Sequence, residues 1–208
     1  GTTTSIVSAN QAAGFSVVQY TGDANSSSTI GHGLTPNSQP MLVIMKDLDS
    51  SNDWMVITNN LWSNPTAYFL KLNLTNALDT GTGNPYLVNN TVFKNTNRNT
   101  SLNNYIAYCF TSISGYSKVG SYSGTGAAQT ITTGFQPGFL MVKASSHASS
   151  WYIVDSARTP NYFLSPNSSA AEYTDSGKIT FTSNGFTLGS TSYNNSGYTW
   201  IYLAIKEN

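Results

Sequence analysis

The chain has 208 residues, nine basic and nine acidic side chains, and only 9% charged residues. A chain with so few basic residues cannot present the positive face that neutralises nucleic-acid phosphates or an anionic membrane surface. It contains no apolar run near the roughly 20 residues of a membrane span and no signal-peptide pattern. We therefore expect no nucleic-acid partner and no insertion into a membrane.

Short strands separated by Gly, Pro, Asn and Ser clusters are predicted throughout the first half of the chain. Aromatic residues make up 12% of the sequence, and Tyr and Thr suit a pleated, half-buried surface. One apolar run in this half is nearly continuous, which is typical of a strand covered on both faces. The predicted strands are Phe15 to Tyr20, Met41 to Lys46, Trp54 to Thr58, Tyr68 to Leu74, Asn89 to Phe93 and Tyr105 to Thr111.

The second half is predicted to follow the same order of strands. Asn184-Gly185 predicts a hairpin with a type I′ turn, and the segment 170–172 is the one place where a helical turn is expected. The predicted strands are Tyr116 to Tyr122, Phe139 to Lys143, Trp151 to Asp155, Tyr162 to Leu164, Ile179 to Thr182, Phe186 to Leu188 and Tyr198 to Ile205.

The two halves repeat one pattern at an offset of about 100 residues. The repeated positions are strand and turn residues, which favours a duplicated scaffold without duplicated chemistry. We predict an all-β fold, an antiparallel β-sandwich of jelly-roll or lectin-like type, built from two internally repeated halves packed as one unit. The predicted segments are an N-terminal extension (1–13), a first repeat (14–112) and a second repeat (113–208). The matching stretches are Gly14–Gly22 with Gly115–Gly124, Leu42–Lys46 with Phe139–Lys143, and Trp54–Ile57 with Trp151–Val154.

A family resemblance rests on these stretches, together with Gly31-His32-Gly33-Leu34 and the run from Tyr105 to Gly124. The set resembles a duplicated β domain of unassigned function found in structural and tail-fibre proteins of marine bacteriophages. The resemblance implies a virion-surface, extracellular module that forms part of a longer fibre or decoration protein. It implies other virion proteins as partners and makes a homotrimer a candidate assembly. It supplies no catalytic residues.

The segment Asp155-Ser156-Ala157-Arg158 is the most polar candidate site. An Asp–Arg pair can hold the hydroxyl groups of a sugar, and Tyr162, Trp151 and Trp54 can offer ring faces to its apolar side. The alternative is that Asp155 and Arg158 form a structural pair that orders the loop. Trp54 and Trp151 occupy equivalent repeat positions, which also fits core packing.

The loop after the first long apolar strand has acidic residues at alternate positions, Asp47, Asp49 and Asp53. Alternate oxygen ligands open a calcium loop, but Asn52 stands where the sharp-turn glycine belongs and Thr58 where the bidentate glutamate belongs. These residues are therefore only a weak metal candidate beside the alternative of a solvated hairpin loop. We predict no metal and no cofactor.

The sequence favours a non-enzymatic module of a virion that contacts cell-surface polysaccharide. A surface rich in hydroxyl and amide groups suits a neutral glycan, because such a ligand is recognised without ion pairs. Two alternatives remain open. A polysaccharide-degrading enzyme would need two carboxylates that converge in a groove, and a purely structural adaptor would need no ligand.

Overall fold

A computed structural model describes residues 1–35, 41–59, 68–80, 86–89, 91–96, 99, 102–158, 162–175, 178–189 and 192–207. Within these ranges the regular elements are β-strands, all strand pairings are antiparallel, and no α-helix occurs. The predicted all-β, antiparallel fold is confirmed. It follows that the described part of the chain has no helix long and apolar enough to cross a membrane.

The chain forms two compact units. Unit 1 comprises Gly1–Leu72 and Leu78–Ser112, and unit 2 comprises Asn73–Ala77 and Ile113–Asn208. The described residues of unit 1 form ten strands: β1 (Ser5–Asn10), β2 (Phe15–Thr21), β3 (Ile30–Gly31), β4 (Met41–Asp47), β5 (Met55–Thr58), β6 (Tyr68–Lys71), β7 (Asp79–Thr80), β8 (Tyr86–Leu87), β9 (Val92–Lys94) and β10 (Asn104–Thr111).

Two sheets enclose the hydrophobic core of unit 1. The larger has the order β1-β2-β10-β4-β5-β6-β7, and the smaller has the order β3-β9-β8. Strand β10 alternates between buried and half-buried residues, as expected when one face meets the core. Its neighbour β4 is buried along almost its whole length. The core is sandwich-like because it draws side chains from both sheets, among them Val18, Val43, Tyr105, Ile30 and Phe93.

In unit 2, nine strands occur in the part of the chain that the structure describes: β11 (Ser117–Ser123), β12 (Gln129–Thr132), β13 (Pro137–Ala144), β14 (Trp151–Asp155), β15 (Tyr162–Phe163), β16 (Tyr173–Thr174), β17 (Ile179–Thr182), β18 (Gly185–Leu188) and β19 (Thr199–Lys206). One sheet has the order β11-β19-β13-β14, and a second has the order β12-β18-β17. The short pair β15-β16 joins the first sheet through a bridge between Ile153 and Leu164. The core again takes side chains from both sheets, including Val142, Trp200, Tyr202, Phe186 and Leu188.

The hairpin around Asn184 is present, but its predicted turn is wrong by one residue. Thr182 pairs with Gly185, so the two loop residues are Ser183 and Asn184. Gly185 begins β18 instead, where a Cβ atom would lie 2.0 Å from the carbonyl oxygen of Ile131. Glycine is therefore needed for a close approach between strands. The segment 170–172 is not helical, so that prediction is also wrong.

Lys46 lies at the end of β4 and closes the following hairpin loop. Its Nζ donates hydrogen bonds to the carbonyl oxygens of Asp47 (2.6 Å) and Ser50 (2.8 Å). The ammonium group therefore satisfies two backbone carbonyl oxygens at either end of the loop and ties them together.

Lys143 has the same position at the end of β13. Its Nζ donates to the carbonyl oxygens of Ala144 (2.6 Å) and His147 (3.5 Å), and it lies 3.4 Å from Ser149 Oγ. The side chain is 0% exposed, and burial lowers its pKa to about 8. Both units thus use a lysine at one loop position, but only in unit 2 is the ammonium group fully buried.

Candidate functional site

A cleft of about 330 Å³ in unit 2 is the strongest candidate site. Its walls come from the end of β14 and the loop after it, from β17, and from the residue before β13. Polar and apolar groups alternate around it: Gln136, Val154, Asp155, Ser156, Arg158, Ile179, Thr180 and Phe181. The volume lies at the lower end of the range for small-molecule sites and suits one or two sugar rings.

Arg158 forms one wall of the cleft and is held by two carboxylates. Its Nη2 lies 2.6 Å from Asp155 Oδ2, its Nε donates to the same oxygen at 2.8 Å, and its Nη1 donates to Glu172 Oε2 at 3.1 Å. The backbone N–H of Arg158 also donates to Asp155 Oδ1 at 3.0 Å. These bonds fix the loop after β14 and leave the guanidinium with its charge already balanced.

The hydrogen bonds from Arg158 hold the pKa of Asp155 below its usual range. The carboxyl group is therefore ionised at neutral pH. Since Arg158 carries one positive charge and its two partners carry two negative charges, the cluster has a net charge of −1. Its electrostatics disfavour an anionic ligand.

A second, smaller cleft shares Arg158 with the first. It has a volume of about 280 Å³ and is lined by Ala157, Arg158, Tyr162 and Glu172. Tyr162 is half-buried at the start of β15. Two of the other predicted ligand residues thus lie near Arg158: Asp155 is bonded to its guanidinium, and Tyr162 lines the same small cleft.

The two predicted tryptophans lie outside this site. Trp151 is 1% exposed, so its ring has no face open to a ligand. Trp54 belongs to unit 1, where it is half-buried and stacks on Tyr108 with ring centroids 6.4 Å apart. The burial of Trp151 agrees with the alternative given for both tryptophans, which is packing in the core.

The three acidic residues of the weak metal candidate have separate partners. Asp47 is buried and accepts hydrogen bonds from Asn103 Nδ2, at 3.0 Å to one oxygen and 3.2 Å to the other. Asp49 accepts from the backbone N–H of Asn104 at 2.6 Å, and Asp53 forms an ion pair with Lys71 at 3.2 Å. In the described ranges, no three His, Cys, Asp or Glu side chains are grouped to hold a metal ion.

Burial tends to raise the pKa of Asp47, but the hydrogen bonds from Asn103 and its neighbours outweigh it and lower the pKa. The carboxylate therefore serves to fix the loop after β4 to the segment before β10.

Sequence reasoning missed Gln136, Thr180 and Phe181. Phe181 presents a partly buried ring on the cleft wall, and Thr180 is exposed beside it. Nothing in the strand pattern of Ile179–Thr182 marks Thr180 or Phe181 as ligand contacts. They line the same cleft as Arg158 because β17 forms one of its walls, and Gln136 does so because it lies just before β13.

Comparison with known proteins gives one family match. A family model described as a domain of unknown function, DUF7483, matches residues 1–208. The chain belongs to this family. No curated protein and no solved structure matches it.

Proposed function

We propose that this chain is a non-enzymatic, virion-associated module that binds neutral host-surface glycans in the clefts on either side of Arg158. The observation that carries the proposal is the cleft of about 330 Å³ whose lining includes the polar residues Asp155, Thr180 and Gln136 and the partly buried Phe181. Such a lining offers hydrogen bonds to hydroxyl groups and an apolar face to the C–H side of a sugar ring.

The charge of the site supports a neutral ligand. Among the described residues that line the cleft, the one positive group is Arg158, whose guanidinium is paired with Asp155 and Glu172. A uronic or sialic acid would therefore meet a net negative cluster there. A neutral sugar can accept from the N–H groups and donate to the carboxylate oxygens without adding charge.

The lowered pKa of Asp155 does not suit the general acid of a glycosidase. A glycosidase needs a carboxyl group that stays protonated near neutral pH, which requires a raised pKa. Arg158 lowers the pKa of Asp155 instead. A depolymerase remains the alternative to be tested, and the assay below includes the release of product.

The virion assignment rests on the motif resemblance and on an internal duplication that we also propose. The order β2-β10-β4-β5 in unit 1 matches the order β11-β19-β13-β14 in unit 2, and β3-β9-β8 matches β12-β18-β17. Repetition of one scaffold fits the duplicated β domain that the motif resemblance implies.

Matching ring contacts support the same duplication. Tyr20 stacks on Tyr105 and meets Phe93 edge-on, with centroid distances of 5.1 and 6.2 Å. At the equivalent strand positions, Tyr122 stacks on Trp200 at 6.1 Å and meets Phe186 edge-on at 6.3 Å. An experimental structure in which one rotation superposes these strands would support the duplication, and different strand directions would overturn it.

The binding proposal is tested by measuring how the wild-type chain and two variants bind to a glycan array. Thr180→Arg puts a long side chain into the cleft and is expected to abolish binding. Thr130→Arg is the matched control, because it makes the same change at an exposed position of β12, two strands away in the same sheet and outside the cleft lining. It is expected to bind as the wild type does.

Each bound glycan is then incubated with the chain and assayed for new reducing ends. Binding without release supports the proposal. Release of reducing sugar would establish the depolymerase, and absence of binding to every glycan would favour the structural adaptor.

A further inference from the structure

The first strand of unit 1 is an open sheet edge. Among the described residues, β1 is the outermost strand of its sheet and pairs only with β2. Five of its six residues are exposed, and Ile6 is 74% exposed. A row of backbone N–H and C=O groups and an uncovered aliphatic side chain therefore face solvent together.

This edge lacks the features by which proteins protect such strands. The sequence of β1, Ser-Ile-Val-Ser-Ala-Asn, contains no charged residue and no proline. Its register with β2 runs without interruption from Ser5 opposite Tyr20 to Asn10 opposite Phe15, so no bulge turns the edge aside. Lys, Pro and bulges are the usual means of preventing edge-to-edge pairing.

We propose that β1 of one copy of this chain pairs antiparallel with β1 of a second copy, so that the large sheet of unit 1 continues across a two-fold axis. A second copy fits because pairing two uncharged strands buries no charge, and because the chain as a whole has a formal net charge of zero and does not repel its copies. The new ladder also extends the antiparallel ladder that β1 already forms with β2.

The geometry of such a pairing is isologous, because one patch meets itself. A two-fold axis normal to the sheet keeps each face of the strand on the same side in both copies. Ile6 and Ser8 share a face, since side chains alternate along a strand. In the paired strands, Ile6 and Ser8 of one copy would therefore lie opposite residues on the same face of β1 in the second copy. Their side chains would be close enough to contact each other.

Sedimentation velocity over a concentration series tests this proposal with charge-swapped variants. The wild-type chain is expected to reach twice its monomer mass as concentration rises. The double variants Ile6→Lys/Ser8→Lys and Ile6→Glu/Ser8→Glu are each expected to stay monomeric, because like charges would face each other. An equimolar mixture of the two is expected to form a dimer again, because opposite charges then meet.

Matched controls carry the same charges in the exposed loop at Ser26 and Ser27. The Lys and Glu double variants at these positions are expected to dimerise as the wild type does, and far-UV circular dichroism confirms that all variants are folded. If the wild-type chain stays monomeric, the proposal is overturned, and a segment of another protein becomes the candidate partner for this edge. Variants at Ile6 and Ser8 that dimerise alone, or a mixture that does not dimerise, also overturn it.

Discussion

Replacing Lys143 with methionine tests the energetics of the buried hairpin in unit 2. The ammonium group is fully buried, and its hydrogen-bond acceptors are carbonyl and hydroxyl oxygens. Methionine has a similar length without the charge. The variant therefore removes the buried charge and keeps most of the side-chain volume.

The magnitude follows from the pKa. Burial lowers the pKa of Lys143 from 10.5 to about 8, so holding the ammonium charged in the folded state costs roughly 3 kcal/mol. The folded state binds the proton less tightly than the unfolded chain. The cost is therefore fully present below pH 8 and fades as the pH rises to 10.5. Between pH 7 and pH 9.5 it falls by about 2 kcal/mol.

Urea unfolding followed by tryptophan fluorescence measures this effect at several pH values. The free energy of unfolding of Lys143→Met, relative to the wild type, is expected to fall by about 2 kcal/mol between pH 7 and pH 9.5. Hydrogen bonds lost with the ammonium add a constant to this difference and do not change its slope. The ionisation of Cys109, whose pKa burial raises to about 12, is common to both proteins and cancels.

The control is Lys46→Met, which alters the equivalent loop of unit 1 and keeps Lys143. Because Lys143 is kept, its contribution to the dependence of stability on pH is expected to remain in this variant. A difference between Lys143→Met and the wild type that stays constant from pH 7 to pH 9.5 would refute the reasoning.

Three further predictions concern buried groups. Cys109 is fully buried with a raised pKa, so a thiol reagent such as DTNB is expected to label it only after unfolding; rapid labelling of the folded chain would contradict this. Gly185→Ala places a Cβ atom against the carbonyl of Ile131 and is expected to lower the free energy of unfolding in urea by more than about 1 kcal/mol. Tyr122→Phe removes the 2.7 Å hydrogen bond to the carbonyl of Tyr193 and is expected to cost about 1 kcal/mol; an unchanged urea midpoint in either variant would show that the contact is not made.

The central strands could be predicted from sequence because their patterns are strong. Burial on both faces of β4 gives the apolar run Met41–Met45, and burial on one face of β10 gives regular alternation. Such patterns can be recognised in the sequence without knowing which strands lie beside them. The match between the two halves was visible for the same reason, since its positions are mostly these core residues.

The peripheral strands could not be predicted in this way. The two-residue strands β3, β7 and β8 form because a neighbouring strand lies beside them, and two residues show no periodicity. Strand β1 was assigned to an N-terminal extension because it is exposed on both faces and therefore has no apolar alternation. Its strand character comes from the ladder with β2.

The candidate site was predictable only where its residues are close in sequence. Asp155 and Arg158 are three residues apart in a loop, which suffices for a pair of opposite charges to meet. The contribution of Phe181 depends on how β17 is placed against that loop, which the sequence does not specify. The ring face offered to a ligand was therefore assigned to the tryptophans, of which Trp151 is buried in the core.

The most direct test of the proposed function is the affinity of the Thr180→Arg variant for the glycan that the wild type binds best, measured by calorimetry beside the Thr130→Arg control. We expect at least a tenfold loss for Thr180→Arg, which is about 1.4 kcal/mol, and no loss for the control. Equal affinity of both variants and the wild type would show that the glycan binds elsewhere and would contradict the assignment of the cleft at Arg158.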